Sequence, residues 1–417
     1  MQKKIKFDLS ILKSLFLIFL VIINSGYMLQ VSDSPLKLKI QYFTAFVFMI
    51  LLFDYFIIKK NIFVKNKIQT KLLIIVLSCL LTMMVNLETY RSYVSFLSIV
   101  FIAFYIVTQY ENEVVANTFV NVTILLSIIS LFYLFIIKFW GIPHTSSTIT
   151  AGITINQYYD YKLFFYPKLF VSGIGRNSSV FWEPGLFASI LIFAMMLETI
   201  YKEKISTLKM IVLIVTLFTT RSTGGIILLL PIFLLFLDRR IQNKFLRIFI
   251  PIVLWLLVIF VLFFQNEILL FLVKSSPKIF SKLIESGSTK STRLMSPILN
   301  FKIFQKFPIF GAGLVEGTKL YVENKRAFQI DSQTSTSFAM LAYFGIFGAL
   351  YSYWWCSGIL KNKNQSNLQK ITLLIIVFII LNKEPHLSIM STWIIFFMYQ
   401  KEFFNQILPN RRGKFRN

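Results

Sequence analysis

Histidine and cysteine are nearly missing from this chain, with two of each in 417 residues. Two histidines are too few for a histidine-based metal site. Cys79 and Cys356 sit in apolar runs without metal or disulfide spacing, and read as small buried hydrophobes. Acidic residues are scarce too, 18 against 43 Lys and Arg. The segments assigned below to the outer face hold no Asp-rich pair with metal spacing. No Walker-type glycine loop is present, and spacing shows no nucleophile–base–acid triad. No internal repeat is visible. No Ala-x-Ala cleavage site follows the first apolar run, 11–29, which is long for a signal segment and so reads as a retained span.

What is present is apolar. Hydrophobic residues make up 56% and charged residues 15% of the chain, more apolar and less charged than soluble domains. The mean hydropathy is +0.70. Runs able to cross roughly 30 Å of hydrocarbon occur about twelve times. They fall near 11–29, 40–58, 72–87, 93–109, 117–140, 182–201, 207–221, 223–237, 248–267, 334–360, 371–382 and 387–400. The expected fold is an all-α polytopic membrane protein, one integral membrane domain over 1–417. The division between the seventh and eighth spans is the narrowest.

Basic residues orient the spans. They cluster in "KKNIFVKNKIQTK", "DRRIQNKFLR" and the tail 401–417, which this orientation makes cytoplasmic together with both termini. Two long loops, 141–180 and 266–332, then lie on the outer face, where function on such proteins tends to reside. The second carries an amphipathic helix, with Leu294, Ile298, Phe301, Phe304 and Phe307 at helical spacing and Lys302 and Lys306 on another face. Pro308 stops it, and Gly311 and Gly313 permit a tight turn.

Four places hold polar residues where a bilayer disfavours them. In "GRNSSVFWEPG", Glu183 and Pro184 suit a helix start, while Arg176 and Glu183 equally suit an anion and a polar ligand. In "TTRSTGG", Arg221 is either a snorkelling anchor or a cation at the mouth of an outer cavity, with Ser222 beside it. Arg293 is either a solvated arginine or, badly placed near a helix N-terminus, a partner for an anion. In "NKEPH", Lys383, Glu384 and His386 form either a hydrated turn or a wall of a shared cavity. Three arginines on one face suit phosphate, because the guanidinium is a permanently charged planar fork.

These stretches resemble the Wzy-type O-antigen and capsular polysaccharide polymerases, within the O-antigen ligase-like membrane protein group. "GRNSSVFWEPGLFASIL" is similar to the family's Arg…Phe-x-Glu-Pro element, and "TTRSTGGIILLLP" to its Ser-Arg-Gly element. "STRLMSPILNFKIFQKFPIFGAGL" is similar to its large-loop element, and "DSQTSTSFAMLAYFGIFGALYSYW" to its returning segment. In order they cover 173–355. One departure stands out. The ligase branch carries a histidine just before the returning span, and this chain has Gln333, Thr334, Ser335 and Thr336 there.

The resemblance implies a GT-C-like, metal-independent glycosyltransferase of the cytoplasmic membrane, needing no cofactor, with its active site on the outer face. Its partners would be polyprenyl-diphosphate-linked oligosaccharides, membrane lipid, a chain-length regulator and a flippase, and not nucleic acid. Arg176, Arg221 and Arg293 match motif arginines that would bind diphosphate, and Glu183 matches the motif glutamate. Ser222, Lys383, Glu384 and His386 are further candidates for substrate contact. A ligase, a flippase-type transporter and a non-catalytic assembly subunit are the rival classes.

Overall fold

The computed structural model describes residues 18–28, 36–58, 67–140, 145–151, 154–160, 164–167, 176–202, 204–240, 249, 253, 287–327, 333–363 and 365–407. Most of the span expected at 248–267, the loop segment 268–286 and the end of the basic tail lie outside them. Five described helices are long and apolar enough to cross a membrane: Leu36–Ile58, Ile68–Val85, Tyr90–Gln109, Asn112–Ile137 and Pro184–Tyr201. This is the pattern of a multi-pass α-helical membrane protein. In hydrocarbon every backbone N–H and C=O must be paired within the protein, which continuous helices achieve.

Helix Pro184–Tyr201 is the central element, with 89% of its span buried, against 17% for 36–58 and 22% for 112–137. The two outer helices expose Phe46, Met49 and Phe53 on one and Leu125, Ile128 and Phe132 on the other, a surface suited to lipid chains. Helix Met390–Ile407 packs along Tyr90–Gln109, and Leu229–Arg240 along Asn367–Lys383. Aromatic rings fill the seam around 390–407. Phe396 lies 5.5 Å from Tyr351, and Phe397 lies 5.6 Å from Phe104. Ser366 starts helix 367–383 with a capping box through Gln369.

Three features depart from a simple reading of the apolar runs. The first long loop carries a three-stranded antiparallel sheet, β1 (Thr145–Ala151), β2 (Thr154–Asp160) and β3 (Phe165–Pro167). Its Thr, Ile and Tyr content suits a pleated, half-buried surface. The sheet is anchored on helix 112–140, where the Tyr166 hydroxyl donates to the Ser130 carbonyl at 3.1 Å and the rings of Phe164 and Tyr133 stack at 4.7 Å.

The run 334–360 is two helices, Thr336–Phe344 and Ile346–Leu360, broken at Gly345. Gly345 has φ 59°, and a side chain there would strike the Ile309 backbone. The bend sets Gly348 against the Met340 carbonyl.

In the second long loop, helix Gly287–Lys306 buries Ser296, Leu299, Asn300 and Ile303 against the protein. The stripe Ile298, Phe301 and Phe307 is left exposed. A helix at the membrane surface would present such a stripe to lipid. The expected turn follows, with φ 74° at Gly311 and 85° at Gly313.

Candidate functional site

The site is built on the segment 176–183, which is stitched to its surroundings by backbone bonds. Met28 N–H donates to the Val180 carbonyl at 3.1 Å, and Trp182 N–H to the Gly26 carbonyl at 3.1 Å. Asn177 ties the segment to a second one. Its backbone N–H donates to the Thr219 carbonyl at 3.1 Å, and its amide to the Ser130 and Thr219 hydroxyls, each at 3.0 Å. Arg176 therefore stands beside the turn that ends helix Thr207–Thr219. Its Nε donates to the Thr220 carbonyl at 3.0 Å, and a terminal nitrogen to the Arg221 carbonyl at 3.4 Å.

Arg221 occupies the left-handed region, with φ 49°. That conformation costs a non-glycine residue about 1–2 kcal/mol. The tight turn offsets the cost by its own bonds. Ser222 N–H donates to the Thr220 hydroxyl at 3.2 Å, and the Ser222 hydroxyl accepts from Gly225 N–H. The Arg221 side chain is exposed and meets no hydrogen-bond or ion-pair partner among the described residues. Ser222 is buried, so its hydroxyl serves the turn.

Glu183 is the N-cap of the central helix, with extended backbone and Pro184 in the first turn. Its carboxylate makes no cap hydrogen bond, is half-buried, and forms no ion pair among the described residues. Both readings of Glu183 thus meet here: the residue starts the helix while its carboxylate stays available. Gly185 lies between two carboxylates. A side chain there would collide with the Glu384 carboxylate and stand 3.5 Å from Glu183 Oε1.

The turn after helix 367–383 closes the site from the other side. It is not hydrated: Lys383, Glu384 and His386 are all buried. Lys383 Nζ donates to the Gly185 carbonyl at 2.9 Å, and its alkyl chain lies over Gly224. One lysine side chain thus bridges the central helix and the "TRSTGG" turn. His386 Nδ1 is 2.8 Å from the Thr392 hydroxyl, and its Nε2 has no partner among the described residues. Burial, and then the Lys383 charge, push its imidazole down to about 3, so it is neutral at pH 7.

Comparison with protein-family models, with curated proteins and with solved structures finds no match for this chain. The site therefore rests on its own geometry. Arg176, Glu183, Arg221, Ser222, Lys383 and Glu384 are brought together from three segments far apart in sequence.

Arg293 is connected less directly. It lies on helix 287–306, its side chain falling outside the described residues. One turn on, the Ser296 hydroxyl accepts from Thr334 N–H at 3.0 Å and from Ser335 N–H at 3.3 Å. The Ser335 hydroxyl donates to Asn382, and the Thr336 hydroxyl to the Glu384 carbonyl at 3.3 Å. The loop helix is thereby tied to the "NKEPH" turn. Just before the returning helix 336–344, Gln333 donates to Asn300 at 2.9 Å and accepts from the Tyr343 hydroxyl at 2.9 Å.

Sequence reasoning missed Tyr158 and Glu88. Tyr158, on β2, donates its hydroxyl to the Trp182 carbonyl at 2.8 Å. Burial above all, and then the Glu183 charge, push its pKa up, while the Arg176 charge opposes them. Glu88 accepts from Val315 N–H at 3.0 Å and Glu316 N–H at 2.6 Å, capping helix Leu314–Ala327. Strand alternation marks Tyr158 and Tyr159 as opposite-facing, but only the sheet's register decides which one turns inward.

Proposed function

We propose that this protein is a membrane glycosyltransferase that polymerises lipid-linked oligosaccharide repeat units for a surface polysaccharide such as O-antigen or capsule. It would act at the outer face of the bacterial cytoplasmic membrane, with both termini cytoplasmic. The observation that carries the reading is the meeting of Arg176 with the Arg221 turn, alongside two carboxylates. A guanidinium with no partner among the described residues, at the end of an apolar helix, is costly unless an anion or water takes it. Helix 207–219 is about 20 Å long at 1.5 Å per residue, short of roughly 30 Å of hydrocarbon. Arg221 is then recessed, where a diphosphate joined to a membrane-embedded chain would reach it.

In the proposed reaction, a sugar hydroxyl of one lipid-linked repeat unit attacks the anomeric carbon of a glycan on a second polyprenyl diphosphate. The new C–O bond forms as the bond to the diphosphate oxygen breaks, and that oxygen leaves with the electron pair. Arg221, Arg176 and the more distant Arg293 stabilise the developing charge. Glu183 orients the attacking hydroxyl and takes its proton. Lys383 and Glu384 hold the central helix and the arginine turn in register. Neutral, buried His386 stands outside the proton path.

The test uses purified lipid-linked repeat units and the reconstituted protein. Arg221→Ala and Arg176→Ala should lower elongation by about 10²–10³-fold at unchanged protein levels, as for a lost charge-stabilising donor. Arg221→Lys should fail to restore it, because the planar fork is gone. Wild-type chain lengths in both alanine variants would remove the diphosphate clamp. Translocation without elongation would make the protein a flippase, and transfer to an acceptor without a lipid diphosphate would make it a ligase.

A further inference from the structure

Helix 207–219 shows one face to the outside of the bundle. Leu208, Ile211, Val215 and Phe218 are exposed on it at helical spacing, and exposed Arg221 follows Phe218 at the same spacing. Helix 112–140 runs beside it and exposes Leu125, Ile128, Phe132, Phe135 and Phe139. Neither 121–140 nor 207–221 contains an Asp or Glu.

Two polar contacts set these helices level with one another. Lys209 Nζ donates to Asn121 Oδ1 at 2.7 Å. Further along, the Asn177 amide reaches both the Ser130 and the Thr219 hydroxyls, each at 3.0 Å. The helices therefore keep step from 121 to 130 and from 209 to 219. Helix 207–219 then stops at the Arg221 turn, while its neighbour continues. At 1.5 Å per residue, Phe139 stands about 13 Å beyond Ser130. The exposed rings of Phe132 and Phe135 fill that interval.

An apolar belt that includes Phe135 and Phe139 places the edge of the hydrocarbon well above the level of Arg221. A charge at such a depth is accommodated by snorkelling, by water or by local thinning of the bilayer. Snorkelling along the arginine stem covers only part of the height. Thinning is the response to a helix shorter than the hydrocarbon. Helix 207–219 is such a helix, at about 20 Å against roughly 30 Å.

We infer that the leaflet on the arginine side dips beside helix 207–219, and that Arg221 holds the phosphate of an ordinary phospholipid there. Charge and surface both match this occupant, with a phosphate on Arg221 and acyl chains on Phe218, Val215 and Ile211 below it. A free phosphate would satisfy the guanidinium and leave the apolar stripe uncovered. The inference goes beyond the reaction proposed above, because the ligand is bulk membrane lipid that carries no sugar. Where that reaction occurs, its substrate displaces a lipid from Arg221.

The test maps lipid depth on the full-length protein in phosphatidylglycerol nanodiscs. Two photoreactive phosphatidylglycerols are compared, one with a diazirine next to the glycerol ester and one with it at the chain end. Adducts are located by mass spectrometry. The head-proximal probe should label 218–227. Arg221→Gln should lower that labelling by about tenfold or more, the scale of a hydrogen bond to a charged group. Arg221→Lys should keep most of it, because a point charge still takes one phosphate. Lys319→Gln, which removes an exposed cation from helix 314–327, should leave it unchanged. If Arg221→Gln fails to fold, Arg221→Met makes the same comparison, and the wild-type map stands independently.

Head-proximal adducts confined to 135–140, with 218–227 reached only by the chain-end probe, overturn the inference. So does undiminished labelling in the folded Arg221 variant. Loss of the 218–227 adducts on adding inorganic phosphate would make the ligand a free anion instead. Elongation by a protein whose leaflet does not dip sinks the inference and spares the function. Adducts at 218–227 on a protein that elongates nothing do the reverse.

Discussion

Lys383 and His386 carry opposite lessons about buried polar side chains. Lys383 gives its ammonium to the Gly185 carbonyl and lays its stem on Gly224, so one side chain joins two elements. His386 is held neutral by burial and by that same charge. Its folded value, about 3, lies below the roughly 6.5 of a free histidine. Between those values the unfolded chain binds a proton that the folded protein refuses. Acidification through this window therefore favours unfolding, and the effect is absent above it. Thermal denaturation in detergent should show the midpoint falling as pH drops below about 6.5, and His386→Gln should flatten that dependence. The elongation rate should show no limb from His386 near neutrality. A limb at pH about 6–7 that vanishes in His386→Gln would instead return the imidazole to proton transfer.

At the scale of elements, short polar connections decide where long apolar helices point. Glu88 caps helix 314–327 from the turn between two spans and also accepts from the Tyr93 hydroxyl at 2.5 Å. Gly311 and Gly313 let the preceding turn lie on the end of helix 336–344, with Ala312 N–H donating to the Ala342 carbonyl at 2.9 Å. The loop that carries Arg293 is thus fixed at two points. Glu88→Ala should cost about 1–2 kcal/mol, the range for a lost helix cap with charge, and expose 314–327 to protease. Glu88→Gln should keep part of the cap. Unchanged melting and proteolysis in the alanine variant would show that the loop is held from elsewhere.

At the scale of the whole molecule, the proposed chemistry requires one orientation. The arginine turn and the turns at Leu87 and Lys383 must share the outer face, with the turn at 361–366 opposite. Leu87 is 91% exposed, and Lys363 is exposed on its turn. In intact cells a membrane-impermeant maleimide should label Leu87→Cys, and should label Lys363→Cys only after permeabilisation. The reverse pattern would put the arginines inside and exclude a lipid-linked donor presented from the outer leaflet.

Much of this was legible in one dimension. Apolar runs marked the helices, because hydrocarbon admits little else. The left-handed turn at Gly311 and Gly313 and the helix start at Glu183–Pro184 follow from local stereochemistry, and both are present. The break at Gly345 was not legible, because an apolar run looks the same straight or bent. The sheet in the first long loop depends on pairing between segments, which composition does not report. The site itself was legible only as separate charges. That Arg176 faces the Arg221 turn, that Tyr158 reaches the Trp182 carbonyl, and that Lys383 reaches Gly185 and Gly224 are outcomes of packing. Sequence determined which residues would be costly in a membrane. Tertiary structure decided which of them share that cost, because a buried charge or donor is tolerated only where the fold brings it a partner.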